Sequence, residues 1–242
     1  METRLRHIAF AGIDAGTDIK LLSEIQREFP IAEFGVLTSY HWYENGNRYL
    51  NPQLMEELKG YKLNLSLHIC GSAARDAAYG LWDRINKLTW SNLELFSRFQ
   101  LNLAKRNDKI EVCNLPGCSR DLGLAFQEVI IQAKDANSTN LYDKSVEKWQ
   151  TNRFSMLLDA SGGRGIDTGI EIYPSNGKIG YAGGFNPDNV GDKLSYLLDN
   201  VNQGTFWIDM ESGVRTDDWF DLDKAVSVLN TCKQVMDEHD GK

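Results

Sequence analysis

The chain has no run approaching 18 uninterrupted apolar residues, so no membrane-spanning helix is expected. Its first residues, METRLRHIAF, offer no apolar core of the length a secretory leader needs; an intracellular, cytoplasmic protein is the expectation. Positive charge is in the minority. Lys and Arg number 26 against 34 Asp and Glu, for a formal net charge of −8 and a pI near 5.1. That disfavours a surface built for nucleic acid or anionic lipid. Cysteine is scarce. Cys70, Cys113, Cys118 and Cys232 make no CxxC pair, and the 4 histidines are scattered, so no metal cluster is expected and the thiols are read as free. There is no Pro-, Gly- or Ser-rich linker and no low-complexity tract, which favours one domain over residues 1–242.

A short apolar run followed by an amphipathic stretch recurs along the chain. The runs are 8-IAFAGI-13, 33-EFGVLTS-39, 63-LNLSLHIC-70, 98-RFQLNLA-104, 128-EVIIQA-133, 154-FSMLLDA-160, 178-KIGYAGG-184 and 205-TFWIDMES-212. Their length is that of strands. Eight strands alternating with helices predict an α/β fold, a single (β/α)8 TIM barrel. The alternative, an open doubly wound sheet, more often carries GxGxxG after its first strand, and 11-AGIDAG-16 does not fit. Segment 105–127, broken by Pro116 and Gly117, reads as a loop and helix leading to the fifth strand.

In such a barrel the chemistry sits at the C-terminal strand ends, and alternation along each strand selects the inward residues. Asn64, Ser66, His68 and Cys70 share the inward parity. So do Gln100 and Asn102, then Ser155, Leu157 and Asp159, then Trp207 and Asp209. His68, Cys70, Asn102, Gln132, Asp159 and Asp209 should therefore meet at the mouth, too many polar groups for a purely structural barrel end. Gly183-Gly184 precedes a helix start predicted at 186-NPDNV, with Asn186 as N-cap and Pro187 at the first helical position, and 211-ESGVR closes the eighth strand. Glycines at the ends of the last two strands are what a phosphate-binding cradle of backbone N–H groups would use, although a turn needing positive φ would use them equally.

These motifs resemble a known family. AGGFNPDNV followed by IDMESGV is similar to the C-terminal third of phosphoribosylanthranilate isomerases. Upstream, 156-MLLDASGGRG resembles their LLD followed by GGTG, and 47-NRYLNPQLMEEL, after the second strand FGVLTS, resembles SPRYVSPEQAxEL. The resemblance implies an Amadori isomerisation of an N-linked phosphoribosyl amine, with no cofactor or metal and a phosphorylated small molecule as ligand. It implies that Asp159 is the general acid and that Arg48 meets the substrate's carboxylate. It places the phosphate on Gly163, Gly165, Gly183, Gly184, Ser212 and Gly213.

The departures from the family pattern are specific. Its base cysteine, in KICGIT, falls on Ala11. The histidine of its fourth strand falls on Asn102. Loop six is shorter, 40-YHWYENG-46 reads as inserted, and Glu211 and Arg215 alter the strand-eight motif. Cys70 and His68 are the candidate replacement bases, with Asp14 a third; Asn102 and Asp209 join Arg48 as candidate substrate-binding residues. The aromatic loop 40–49 is read as a ligand lid or as packing against a neighbour. A non-catalytic phosphate-binding relative is the alternative reading. A Schiff-base lyase is a further one, without a lysine at a predicted strand end in the mouth. Nothing in the sequence selects an oligomeric state.

Overall fold

The structure, a computed structural model, describes residues 4–41, 47–103, 110–114, 128–159, 161, 165–167, 169–173, 177–202 and 204–241. Each apolar run contributes one strand: β1 (Leu5–Ala11), β2 (Ala32–Thr38), β3 (Leu65–Cys70), β4 (Arg98–Asn102), β5 (Glu128–Ala133), β6 (Phe154–Asp159), β7 (Lys178–Ala182) and β8 (Thr205–Met210). They pair in parallel, in sequence order, and β8 returns to β1, so the predicted barrel is closed. The helices are α1 (Ile19–Glu28), α2 (Pro52–Leu58), α3 (Gly71–Ala78), α4 (Trp82–Leu88), α5 (Ala136–Trp149), α6 (Val190–Asn200) and α7 (Leu222–Asp240). Short hairpin strands β9 (Arg215–Thr216) and β10 (Trp219–Phe220) follow β8. Most of segment 105–127 lies outside the described residues, as does Cys118; Cys70, Cys113 and Cys232 are free thiols. No described helix is long and apolar enough to cross a membrane.

Outward strand residues such as Phe10, Phe34, Leu67, Ile69, Phe99 and Ile131 build the apolar layer under the helices. Inside the barrel the N-terminal layer is ionic. Arg98 donates from Nη1 to Glu33 Oε1 at 2.8 Å and from Nη2 to Glu128 Oε1 at 2.9 Å, and its guanidinium lies 4.4 Å from the Trp207 ring centroid. Glu128 also accepts from Ser155 Oγ at 2.5 Å and Lys178 Nζ at 3.0 Å. Burial alone would raise the Glu128 pKa, but Arg98, Ser155 and Lys178 hold it at about 2. Trp207 fills the axis because β7 yields at Gly180, where a Cβ would stand 2.2 Å from the indole. Such packing reads as barrel stability and leaves the C-terminal mouth for chemistry.

Candidate active site

At the mouth, strand ends converge on one pocket. Its lining includes Ala11 of β1, His68 of β3, Gln100 and Asn102 of β4, Gln132 of β5, Asp159 of β6 and Asp209 of β8, with the loops after β6, β7 and β8 as its rim. The inward parity read from sequence places these side chains together. Cys70 sits beside the pocket, its Sγ 3.6 Å from the Asn102 amide nitrogen. Asn64 lies below the layer, donating to Pro30 and Ala32 carbonyls at the other end of the barrel.

The two mouth aspartates occupy different surroundings. Asp159 accepts from Gln132 Nε2 at 2.8 Å through one oxygen and from the Ser161 amide and hydroxyl at 3.1 and 2.6 Å through the other. Ser161 in turn accepts from the Gly165 amide at 3.3 Å, folding the β6 loop back over its strand. Asp209 is only 6% exposed, and its Oδ2 has no hydrogen-bond partner. Burial, then the negative charges of Glu33, Asp159 and Glu211, push its carboxyl well above the ordinary range, and Arg98 opposes this only in part.

The two candidate replacement bases fare differently from the aspartates. His68 is buried, with its Nδ1 3.1 Å from the Gln100 amide nitrogen and its Nε2 3.1 Å from Ser66 Oγ. Burial lowers its pKa to about 4, leaving a neutral ring with both nitrogens engaged. Cys70 keeps partial exposure, yet burial of its thiol pushes the pKa up to about 11, too high for a thiolate near neutrality. Asp14 is fully buried. It accepts from Arg215 Nη2 at 2.7 Å and from the Phe220 and Gly16 amides, which makes it an anchor for the β8 hairpin.

Arg48 is not in the pocket lining. Its Nη1 donates to Glu211 Oε1 at 2.8 Å and its Nε to Asp218 Oδ1 at 2.6 Å, so two carboxylates of the chain itself occupy the guanidinium expected to meet a ligand. From the 40–49 loop, residues 42–46 lie outside the described residues; Tyr40 donates to Asp76 Oδ2 at 2.9 Å, a packing role. Lys134 directly follows β5, but its amine is bonded to the Leu103 carbonyl and does not line the pocket.

The rim glycines have a structural cause of their own. Gly183 and Gly184 have φ of 134° and 67°. A Cβ on Gly184 would meet the Asp167 amide nitrogen at 2.6 Å, and one on Gly213 would meet the Phe185 carbonyl oxygen at 2.0 Å. A Cβ on Gly165 would lie 2.7 Å from Ser212 Oγ. The loops after β6, β7 and β8 thus pack backbone to backbone into a continuous rim, and this contact alone requires glycine. Gly163 lies outside the described residues. Helix α6 begins at Val190, four residues after Asn186, but the Asn186 side chain does cap the preceding turn, accepting from the Asp188 and Asn189 amides at 2.8 and 3.1 Å. Lys193 of α6 ties the rim together, donating to the Gly183 carbonyl at 2.7 Å and to Asp167 at 2.8 Å.

A family model of N-(5'-phosphoribosyl)anthranilate isomerase matches residues 121–231, which hold β5 to β8 and the whole glycine rim. The isomerase from Pyrococcus furiosus superposes with a TM-score of 0.52 at 13% identity, over 94% of this chain and 98% of that one. The chain is a phosphoribosylanthranilate isomerase-like (β/α)8 barrel. The isomerase from Thermococcus kodakaraensis gives a TM-score of 0.51 at 12% identity, covering 96% and 99% of the two chains. An isomerase solved in complex with reduced 1-(o-carboxyphenylamino)-1-deoxyribulose 5-phosphate gives 0.50 at 13%, covering 95% and 100%. No curated protein matches.

Against these isomerases, this isomerase-like barrel departs at named points. Ala11, which the sequence reading set against the family's cysteine, lines the pocket with a methyl group. Glu211, which the sequence reading noted only as an altered motif position, lines the pocket and holds Arg48. Ser161, which the sequence reading passed over, orients Asp159 together with Gln132. A serine two positions after a strand-end aspartate is an Asx-turn pattern, so that signal was present.

Proposed function

We propose that the protein isomerises a phosphorylated, N-linked sugar by acid/base chemistry in the pocket at the barrel mouth. The observation that carries this reading is the pair of aspartates, Asp159 and Asp209, at the ends of β6 and β8 in one polar pocket beside the glycine rim. Backbone N–H groups of Gly183, Gly184, Ser212 and Gly213 would take the phosphate, helped by the N-terminal end of α6. Asp159 would give its proton to the ring oxygen. The C1–O bond then breaks towards oxygen, and the nitrogen lone pair forms C1=N. Asp209 would take the C2 proton, and that electron pair becomes C1=C2 as the C1=N pair returns to nitrogen. The enolamine ketonises, with C1 gaining a solvent proton and the C2 hydroxyl losing one. Solvent restores both carboxyls.

Asp209 suits the base role for two reasons. It lies on the strand that pairs with β1, opposite Ala9, and so next to the strand where Ala11 replaces the cysteine. Its raised proton affinity also makes its ionised form a stronger base than an ordinary carboxylate.

The test is turnover in D2O with 5-phosphoribosyl derivatives of several amines. The expected result is a 1-amino-1-deoxyribulose 5-phosphate carrying deuterium at C1. Asp159→Asn and Asp209→Asn should each lower the rate by roughly 10²–10⁴-fold. No product above the protein-free control with any amine would contradict catalysis. The second reading, a non-catalytic binder of phosphorylated ligands, is favoured by Ala11 and by the unsuitable states of Cys70 and His68. It predicts calorimetric binding of ribitol 5-phosphate without any deuterium incorporation.

A further inference from the structure

The charge of the pocket is one-sided. Among the described residues that line it, Asp159, Asp209 and Glu211 carry carboxyls, and none is a lysine or an arginine. Two described cations stand at the rim, and each is already held: Arg48 by Glu211 and Asp218 at 2.8 and 2.6 Å, Lys193 by Asp167 and the Gly183 carbonyl at 2.8 and 2.7 Å. Among the described residues no three acidic or metal-ligating side chains gather closely enough to hold a metal ion. Asp209 adds an independent observation. It is buried to all but 6% of its surface, it faces the pocket, and its Oδ2 has no partner.

We propose that the organic half of the phosphorylated ligand carries a basic nitrogen, a protonated amine or amidine, that sits against Asp209 and Glu211, and that it does not carry a carboxylate. This rests on the phosphosugar reading of the same pocket. A cation there satisfies the unpartnered Oδ2 and offsets the crowding of the three carboxyls. A carboxylate there adds a fourth acidic group and finds Arg48 already paired. The burial of Asp209 and its like-charged neighbours favour its neutral form in the free protein, and a ligand cation reverses that preference. Glu211 is then the residue that sets specificity: it lines the pocket and keeps Arg48 from serving as an anion site.

Calorimetry on the full chain at neutral pH tests this with three probes of one shape. They are 1-anilino-1-deoxyribitol 5-phosphate and its ortho-aminomethyl and ortho-carboxylate derivatives. We expect the aminomethyl probe to bind roughly tenfold more tightly than the parent, and the carboxylate probe to bind more weakly by a similar factor. Glu211→Gln should shrink the aminomethyl advantage several-fold and improve the carboxylate probe, because the pocket loses one carboxylate and Arg48 loses one of its two. A carboxylate probe that binds wild type as well as the parent, or unchanged ratios in Glu211→Gln, would overturn the inference. Parent stripped of its phosphate separates the two claims. If the charge order fails while phosphate removal still abolishes binding, the phosphosugar reading stands alone. Equal binding with and without phosphate, or no binding by any probe, removes both.

Discussion

Asp209 and Cys70 show how neighbours decide what a proton-carrying residue can do. Both face the barrel mouth, and both have pKa values raised by burial. The carboxyl is raised well above its ordinary range, whereas the thiol is moved from 9.0 to about 11. A carboxylate of raised proton affinity is a stronger base when ionised, whereas a thiol held protonated near pH 7 is none. The expected pH–rate profile therefore rises through one carboxyl limb displaced above the ordinary range and contains no thiol limb. Cys70→Ser should leave that profile and the rate within about twofold, since a neutral thiol carries no proton in the proposed cycle. A large loss of rate in Cys70→Ser, with the fold intact by circular dichroism, would return the base role to the cysteine. His68, neutral and bonded through both ring nitrogens, is the hydrogen-bonded core histidine that an inward strand position commonly holds.

At the scale of elements, the segment after β8 combines a tight turn with a hairpin. Ser212–Val214 forms a single 3₁₀ turn, and β9 and β10 then fold into a hairpin before α7. Arg215 fastens that hairpin to the β1 loop, donating to the Gly12 carbonyl at 2.5 Å and to Asp14 at 2.7 Å. Asp14 is fully buried, so Arg215→Met would leave an uncompensated carboxylate and should cost about 3–5 kcal/mol in urea unfolding. A loss below about 1 kcal/mol would show that the clamp is dispensable. The strands themselves were legible because short apolar runs and period-two alternation are local properties. β5 matches its run residue for residue, and each of the others differs from its run at one or both ends by one to three residues. The fastening of the hairpin by Arg215 on Asp14 and the hold of Glu211 on Arg48 were not legible. They depend on side chains 163 or more positions apart, which no local pattern encodes.

For the whole molecule, closure of the barrel brings the loops after β6, β7 and β8 into one rim and the strand-end aspartates into one pocket. The order of strands and the inward parity were enough to place His68, Asn102, Gln132, Asp159 and Asp209 together, because a parallel barrel leaves little freedom once its strands are known. The sequence could not separate two uses of the rim glycines. The three-dimensional contacts show that loop against loop requires glycine at Gly184 and Gly213 whether or not a ligand approaches. A ligand complex decides what the rim holds. The most direct measurement is a crystal structure of the full chain with ribitol 5-phosphate. The account predicts the phosphate within hydrogen-bond distance of the Gly184 and Gly213 amides and the polyol against Asp159 and Asp209. A phosphate bound elsewhere, or crystals that leave the barrel mouth empty at saturating ligand, would contradict it.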